Sequence, residues 1–259
     1  MRVGDIEITP VSDGVGKLPS AYMPNADWEA HKDLLDADGN FDIQLGCFVV
    51  RTKDQTILID AGIGPFELGP FKGGQLPGNL EKSGVKPADI DLVLLTHLHL
   101  DHTGWILQNG ELTFPNATVR FGEKDLGQFV HTDNPDMVAA PMVAALEARG
   151  LLEPISGDGD VAPGVSTLHA PGHTLGHMCV VVSSGEQRAF LLGDAIGCPI
   201  QIEDAEWGAI SDVDPKLAKR TRETLFRELE GGKDVAAASH FSELKFGRVL
   251  LGDGKRYFA

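Results

Sequence analysis

The densest group of potential metal ligands in this 259-residue sequence lies at residues 96–102, which read THLHLDH. The segment contains three histidines and one aspartate, and it directly follows the apolar run DLVLLT at residues 91–96. Neutral imidazole and carboxylate groups are preferred ligands of zinc in proteins. Four such groups beside a buried strand are costly to desolvate unless something binds them. The segment therefore predicts a metal site at the carboxyl end of that strand.

Three further potential ligands also lie just beyond apolar runs. His173 lies in the glycine- and proline-containing turn APGHTLGH, Asp194 follows FLLG, and His240 follows the predicted strand 235–239. Because side chains that follow buried strands collect at one rim of a sheet, we expect them to join the first group. Six imidazole or carboxylate ligands and one shared carboxylate are sufficient for two adjacent metal ions that each keep an open position.

The elements that must position these side chains alternate between short apolar runs and helical stretches, as in layered α/β proteins. We predict strands at residues 3–9, 46–51, 56–60, 91–96, 118–121, 165–169, 178–183, 189–192 and 235–239, and helices at 123–131, 135–149 and 215–230. Asp214 and Pro215 fit the start of the last helix. The chain is expected to form one domain, residues 1–259, with insertions at about 17–40 and 62–78. The second insertion is rich in glycine and proline, so no regular structure is expected there.

The charge balance excludes several classes of partner. With 22 basic and 38 acidic side chains the formal net charge is −16, and nucleic-acid binding usually requires a basic surface. The densest basic stretch, on the last predicted helix, is expected to be a solvated face; it comprises Lys216, Lys219, Arg220, Arg222 and Arg227. No apolar run approaches the roughly 18 residues of a membrane span. These features predict a cytoplasmic protein that binds a small molecule and neither nucleic acid nor membrane.

The motifs together resemble those of the metallo-β-lactamase superfamily. Its H-x-H-x-D-H signature corresponds to residues 97–102, and its later motifs correspond to His173, Asp194 and His240. The earlier segment LIDAG at residues 58–62 resembles the first motif of the family. The resemblance extends over nearly the whole chain. It implies an α/β fold, a four-layer αββα sandwich, with the metal site at the shared edge of the two sheets.

The resemblance also implies a role for each ligand. One metal ion would be held by His97, His99 and His173, the other by Asp101, His102 and His240, and Asp194 would bridge the two. The implied cofactor is two Zn²⁺ per chain, with Mn, Co or Fe as other divalent metals. Asp60 would orient ligands from behind, whereas His131, His169 and His177 are not expected to be ligands. The implied reaction is hydrolysis by a metal-bridging hydroxide, with Asp101 and Asp194 as catalytic residues.

Within the superfamily, the sequence is most similar to the quorum-quenching lactonases and the methyl parathion hydrolases. This resemblance implies a lactone, such as an acyl-homoserine lactone, or a related neutral ester as substrate. The alternatives are an organophosphate triester or aryl ester and, in another class, persulfide oxidation at a single iron. Tyr22, Met23, Trp105 and Phe48 are the predicted substrate-binding residues, and a homodimer is left open. A known lactonase subgroup has a tyrosine shortly after the bridging aspartate; here Ala195, Ile196, Gly197 and Cys198 follow Asp194.

Overall fold

Apolar residues at alternate strand positions build two β-sheets that pack face to face. The computed structural model describes residues 1–259. The strands are β1 (Arg2–Val3), β2 (Ile6–Pro19), β3 (Asn40–Arg51), β4 (Thr56–Ile59), β5 (Glu67–Leu68), β6 (Phe71–Lys72), β7 (Leu92–Leu94), β8 (Leu107–Gln108), β9 (Glu111–Leu112), β10 (Thr118–Arg120), β11 (Gly159–Ala162), β12 (Val165–His169), β13 (Met178–Ser184), β14 (Gln187–Leu191), β15 (Val235–Ala237), β16 (Val249–Gly252) and β17 (Lys255–Phe258). The α-helices are α1 (Leu76–Lys82), α2 (Leu100–Thr103), α3 (Ala139–Glu147) and α4 (Pro215–Leu229).

The first sheet has eight strands and the second has five. The order of the first is β10-β7-β4-β3-β2-β6-β5, with β1 paired to β2, and that of the second is β11-β12-β13-β14-β15. Strands β4, β7 and β10 are parallel to one another, and β14 is parallel to β15. Parallel neighbours place their carboxyl ends at the same edge of a sheet. The segments that follow β4, β7, β14 and β15 therefore begin at common edges.

Three apolar clusters define four layers. Val50, Ile57 and Leu94 of the first sheet face Val180 and Leu191 of the second, in the cluster between the sheets. On the outer face of the first sheet, Val49, Leu58 and Val93 pack against α1 and α3. On the outer face of the second sheet, Cys179, Phe190 and Ala236 pack against Leu225 and Phe226 of α4. This α/β/β/α order is the predicted sandwich.

A β-bulge in β2 turns one charged residue into the protein. The register of β2 against β3 shifts between Ser12 and Gly14, so Asp13 has no partner in the ladder. A bulge redirects a side chain relative to its neighbours, and the carboxylate of Asp13 is completely buried. Burial raises the pKa of Asp13 above its ordinary value, against the opposing effect of the N–H groups that donate to it.

Helix α4 begins as predicted and ends one residue earlier than predicted. The side chain of Asp214 accepts a hydrogen bond from the Leu217 amide at 3.0 Å, and Pro215 occupies the first turn. A side-chain acceptor at this position satisfies an otherwise unpaired amide. No helix of the protein combines the length and the apolar character that crossing a bilayer requires.

Several element predictions need correction. Strand β3 begins at Asn40, the last residue of the predicted insertion 17–40, and β2 extends to Pro19. The segment 62–78, for which no regular structure was expected, contains β5 and β6 and the start of α1. The predicted helix 123–131 is reduced to a π-helical turn at Leu126–Val130, and the predicted helix 135–149 to α3. The hairpin of β16 and β17 was not predicted.

Candidate metal centre

Seven side chains converge from four segments at one edge of the sandwich. His97 follows β7, His99 precedes α2, and Asp101 and His102 lie within α2. His173 lies in the turn between β12 and β13, Asp194 follows β14, and His240 follows β15. Of the strands that precede these residues, β7, β14 and β15 belong to parallel pairs and only β12 does not. Residues far apart in sequence therefore meet at this edge.

The converging atoms form three overlapping groups, in each of which the potential ligand atoms lie within 4.8 Å of one another. The groups are His97, His99 and His173; His97, His102 and Asp194; and Asp101, His102 and His240. His97 Nε2 lies 2.8 Å from His99 Nδ1, which in turn lies 3.0 Å from His173 Nε2. The first and third groups coincide with the two predicted ligand triads, and the second joins them.

Asp194 lies between the two triads, and both of its oxygens face imidazole nitrogens. Its Oδ1 is 3.3 Å from His102 Nε2, and its Oδ2 is 3.4 Å from His173 Nε2 and 3.1 Å from His240 Nε2. A carboxylate with both oxygens directed in this way is suited to bridging two cations. The geometry therefore agrees with the predicted bridging position of this residue.

Two buried polar atoms without hydrogen-bond partners indicate whether these residues fit a metal ion. Asp194 Oδ1 and His102 Nε2 are buried and have no hydrogen-bond partner. Such atoms are costly in a protein interior, and a cation that accepts their lone pairs would satisfy both. Imidazole nitrogens with carboxylate oxygens, and no thiolate, form a donor set that suits zinc and other divalent first-row metals. The residues thus fit a dinuclear site.

The electrostatics around Asp194 favour positive charge on the neighbouring imidazoles. Although burial lowers it, the carboxylates of Asp60 and Asp194 raise the pKa of His102 well above its ordinary value. In His240, burial again opposes the shift, but Asp194 raises the pKa to about 9. Burial raises the pKa of Asp194, yet the neighbouring His240 and His102 hold it well below its usual range. Where imidazoles take up protons to balance carboxylates, metal cations can replace those protons.

Asp60 orients His102 from behind. Its Oδ2 accepts from His102 Nδ1 at 2.8 Å and from Ser239 Oγ at 3.1 Å, and its Oδ1 accepts from the Thr96 amide at 2.7 Å. The residue has φ of 60°, a backbone conformation that aspartate tolerates better than most residues. Because Nδ1 donates to Asp60, the lone pair of His102 Nε2 points into the cluster. The structure thus places Asp60 where a second-layer carboxylate was predicted.

Three groups that orient potential ligands were not predicted from the sequence. His173 Nδ1 lies 3.2 Å from Asp212 Oδ1, and His240 Nδ1 donates to the Gln44 carbonyl at 2.7 Å. Buried Asp125 accepts from the Leu98 amide at 3.2 Å and from Thr174 Oγ1 at 3.0 Å, so it ties the first ligand segment to the turn that carries His173. Their sequence neighbourhoods contain no distinguishing pattern, because each acts on a residue distant in the chain.

His177 is buried beside the cluster but belongs to none of the ligand groups. Its Nε2 accepts a hydrogen bond from the Asp194 amide at 3.0 Å. Burial lowers the pKa of His177 to about 3, which keeps the ring neutral and able to accept. Gly193 has φ of 53°, and a Cβ there would lie 2.7 Å from His177 Nε2, so the close approach requires glycine. His177 therefore supports the backbone that carries Asp194.

A cavity of about 480 Å³ opens onto the cluster. Its polar end is formed by the potential ligands His99, Asp101, His173, Asp194 and His240, together with Tyr22, Ser211 and Asp136. Its apolar wall consists of Leu18, Ile43, Ile63, Leu68, Phe71 and Leu100. Both predicted insertions contribute to the cavity, the first through Leu18 and Tyr22 and the second through the segment that carries β5 and β6. The cavity thus combines a cation-binding end with an apolar side.

The four predicted substrate-binding residues occupy different places. Tyr22 lines the cavity, and its hydroxyl lies 2.5 Å from Ser211 Oγ. Met23 is buried in the adjoining wall. Trp105 packs against the helix-facing cluster and donates its indole N–H to Asp13 at 2.8 Å, and Phe48 lies between the two sheets. Neither Trp105 nor Phe48 lines the cavity. The indole of Trp105 is held by its hydrogen bond to the buried Asp13, and the ring of Phe48 packs in the core between the sheets.

Comparison with known proteins identifies the family. Residues 46–240 match the model of the metallo-beta-lactamase superfamily, and the chain belongs to this superfamily. The solved structure of AidC, a dizinc quorum-quenching lactonase, covers 100% of this chain and 95% of its own with a TM-score of 0.87 and 23% identity. The predicted superfamily and fold are thus confirmed.

Curated relatives agree on the class of enzyme. An N-acyl homoserine lactonase of Bacillus sp is 26% identical over 168 residues, which cover 58% of this chain and 63% of that protein. The N-acyl homoserine lactonase AiiB of Agrobacterium fabrum is 26% identical over 243 residues, which cover 84% of this chain and 82% of the relative. The prediction of a metal-dependent hydrolase is therefore confirmed at the level of class.

Proposed function

We propose that this protein is a dinuclear metal hydrolase that opens the ester bond of a small neutral lactone with an apolar acyl chain. The observation that carries the proposal is the cluster of imidazoles and carboxylates at the polar end of a cavity whose other wall is apolar. An acyl lactone has the same division, with a polar ring and an apolar chain. The lactonase relatives support this choice. Action in the cytoplasm stays a prediction, and a homodimeric state stays open.

The proposed ligand set divides as the resemblance implies. His97, His99 and His173 would hold one ion, Asp101, His102 and His240 the other, and Asp194 both; zinc is the metal that this donor set favours. Two divalent cations bound there would supply a hydroxide near neutral pH and Lewis-acid polarisation of the ester carbonyl.

Asp101 is proposed to carry a proton in addition to binding metal. Its side chain is 24% exposed, against 8% for Asp194, so of these two carboxylates it is the more accessible to substrate. An alkoxide leaving group needs a proton as the ester bond breaks, whereas a phenoxide does not. Loss of this carboxylate is therefore expected to slow the hydrolysis of lactones more than that of activated aryl esters.

Tyr22 is proposed to donate a hydrogen bond to the substrate. It comes from the first insertion, so its hydroxyl enters the cavity from outside the two sheets. Burial and the nearby Asp194 carboxylate raise the pKa of Tyr22 far above its ordinary value, so the hydroxyl stays protonated. It is therefore available as a donor to the carbonyl or ring oxygen at any physiological pH.

The Tyr22→Phe variant tests this role. A hydrogen bond to a group that becomes charged contributes about 1.5–3 kcal/mol, so kcat/KM is expected to fall by about 10- to 100-fold. Tyr257→Phe is the matched control, because Tyr257 is the only other tyrosine and lies half-exposed in the β16–β17 hairpin. Equal activity of Tyr22→Phe and Tyr257→Phe, with metal content unchanged, would contradict the role.

A turnover panel tests the function itself. Acyl-homoserine lactones of increasing chain length, a lactone without a chain, aryl esters and a paraoxon-type triester would be compared with zinc-loaded and metal-stripped protein. Each buried methylene contributes about 0.8 kcal/mol, so we expect kcat/KM to rise about fourfold per methylene until the apolar wall is filled. No turnover above that of the stripped protein on any substrate would refute the proposal.

The panel also separates the alternatives. Faster turnover of the triester than of every lactone would favour an organophosphate hydrolase. Metal analysis of the purified protein distinguishes the other class, since two zinc ions per chain agree with the hydrolase and one iron per chain with a persulfide dioxygenase.

A further inference from the structure

Arg222 of α4 is buried, contrary to the prediction that the basic residues of this helix form a solvated face. The residue is only 2% exposed. Its Nε donates to the Ala205 carbonyl at 3.0 Å, and its Nη1 donates to Asp212 Oδ2 at 3.1 Å. A buried guanidinium is expensive to desolvate, so it persists only where its partners are well placed. The prediction is wrong for Arg222 because its partners come from a loop that precedes the helix.

That loop wraps around the guanidinium. Arg222 binds both Ala205, at the beginning of the loop, and Asp212, near its end. Between them, a Cβ at Gly208 would lie 2.9 Å from Arg222 Nη2, so the loop passes close to the charged group. The guanidinium therefore fixes the path of residues 205–212, a loop that contributes Ser211 to the cavity lining.

Asp212 passes this constraint to a potential metal ligand. Its side chain is 1% exposed, and while Oδ2 accepts from Arg222, Oδ1 lies 3.2 Å from His173 Nδ1. The other ring nitrogen, His173 Nε2, lies 3.0 Å from His99 Nδ1 within the ligand cluster. With Nδ1 donating to Asp212, the lone pair of Nε2 is directed at the cluster.

We propose that Arg222 and Asp212 are positioning residues for one of the two metal ions: Arg222 orients the Asp212 carboxylate, which fixes the tautomer and the direction of His173. The proposal rests on the dinuclear centre proposed above. Asp60 stands in the same relation to His102, so each ligand triad has one imidazole held by a buried carboxylate. The two devices differ in their anchor, because Asp60 is held by Thr96 and Ser239 and Asp212 by a buried cation.

The proposal is tested by the zinc affinity of Asp212→Asn and Arg222→Lys, measured by competition with a chromophoric chelator. Loss of an orienting partner typically weakens metal binding 10- to 100-fold. We expect Asp212→Asn to lower the affinity for one of the two zinc ions by about that factor and to leave the affinity for the other unchanged. Arg222→Lys keeps the positive charge but loses the forked geometry of the guanidinium, so it should lower the affinity for the same ion by a smaller factor.

Asp234→Asn is the matched control. Asp234 also forms an ion pair with an arginine, with Arg188 Nη2 at 2.6 Å from its Oδ2, but this pair is more exposed and contacts no potential ligand. This variant is expected to bind both zinc ions like the wild type. A double variant, Asp212→Asn with Arg222→Lys, should lower the zinc affinity no further than Asp212→Asn alone, since Arg222 acts through Asp212.

The outcomes distinguish this proposal from that of the function. Wild-type affinity for both ions in Asp212→Asn, or equal weakening of both, would overturn the positioning role. Failure of the wild type to bind zinc would instead refute the dinuclear centre. If Asp212→Asn does not fold, Arg222→Lys decides alone, and an unchanged affinity for both ions in that variant would overturn the proposal.

Discussion

Replacing Asp194 with asparagine is expected to lower kcat/KM on the best lactone by at least about 10³-fold. The substitution keeps the shape of the side chain but removes the negative charge that faces both triads. Without it, the two cations of the proposed centre would repel each other and would lack the proposed shared ligand. Metal ions contribute several kcal/mol of transition-state stabilisation, and each 1.36 kcal/mol corresponds to a factor of ten. The measurement is steady-state kinetics together with zinc content per chain after dialysis.

Asp136→Asn provides the matched control for Asp194→Asn. Asp136 lines the same cavity, but its carboxylate accepts hydrogen bonds from the Val138 and Ala139 amides at the start of α3. Asparagine can accept the same bonds, so the variant changes the charge of the cavity without touching a ligand. We expect its kcat/KM to stay within about threefold of the wild type. If Asp194→Asn retained more than a tenth of wild-type activity with two bound zinc ions, the bridging role would be wrong.

The positions of the ligand cluster followed from the sequence because local signals decide them. Each of His97, Asp194 and His240 follows an apolar run, and a buried strand fixes where the next polar side chain emerges. The four-layer arrangement itself came from the resemblance, since no local pattern specifies how two sheets face each other.

The buried partners of the cluster could not be predicted in this way. Asp212, Arg222 and Asp125 look like ordinary surface charges in the sequence, and only tertiary contacts desolvate them. Arg222 lies within a run of lysines and arginines whose other members follow the solvated pattern. A charge becomes recognisable as buried only when the residue that neutralises it is known, and here that residue precedes the helix in a separate loop.

Apolar side chains were ambiguous for a related reason. Phe48 and Trp105 have aromatic side chains of the type that lines substrate pockets. In the structure, Phe48 packs between the two sheets and Trp105 is hydrogen-bonded to Asp13. The residues that do form the apolar wall, such as Leu68 and Phe71, lie in a glycine-rich segment for which no regular structure was expected. What gives that segment its structure is Asp13, which lies about 50 residues earlier in the chain.

Asp13 organises the second insertion by accepting five hydrogen bonds. Its Oδ2 accepts from the amides of Ile63 and Gly64, and its Oδ1 from the amides of Gly74 and Leu76; these N–H groups lie at distances of 2.9, 3.1, 3.2 and 2.8 Å. The fifth donor is Trp105 Nε1 at 2.8 Å. One buried carboxylate thus binds both ends of the loop that carries β5 and β6 and the start of α1. Buried amides need acceptors, and a glycine-rich loop offers few of its own.

Asp13→Ala is therefore expected to lower the free energy of unfolding by at least about 3 kcal/mol, since each buried donor left unsatisfied costs about 1–3 kcal/mol and the loop can recover some of these by exposure to water. Urea unfolding measures this free energy, and limited proteolysis should show new cleavage within residues 64–75.

The control is Asp91→Ala, which removes a single hydrogen bond, from the Thr56 amide at 2.8 Å, and should lower the free energy of unfolding by only about 1 kcal/mol. Because the loop supplies part of the apolar wall, Asp13→Ala should also raise KM for long-chain lactones more than for the lactone without a chain. An unfolding free energy within 1 kcal/mol of the wild type, with the loop still protected from protease, would show that the insertion holds its conformation without this carboxylate.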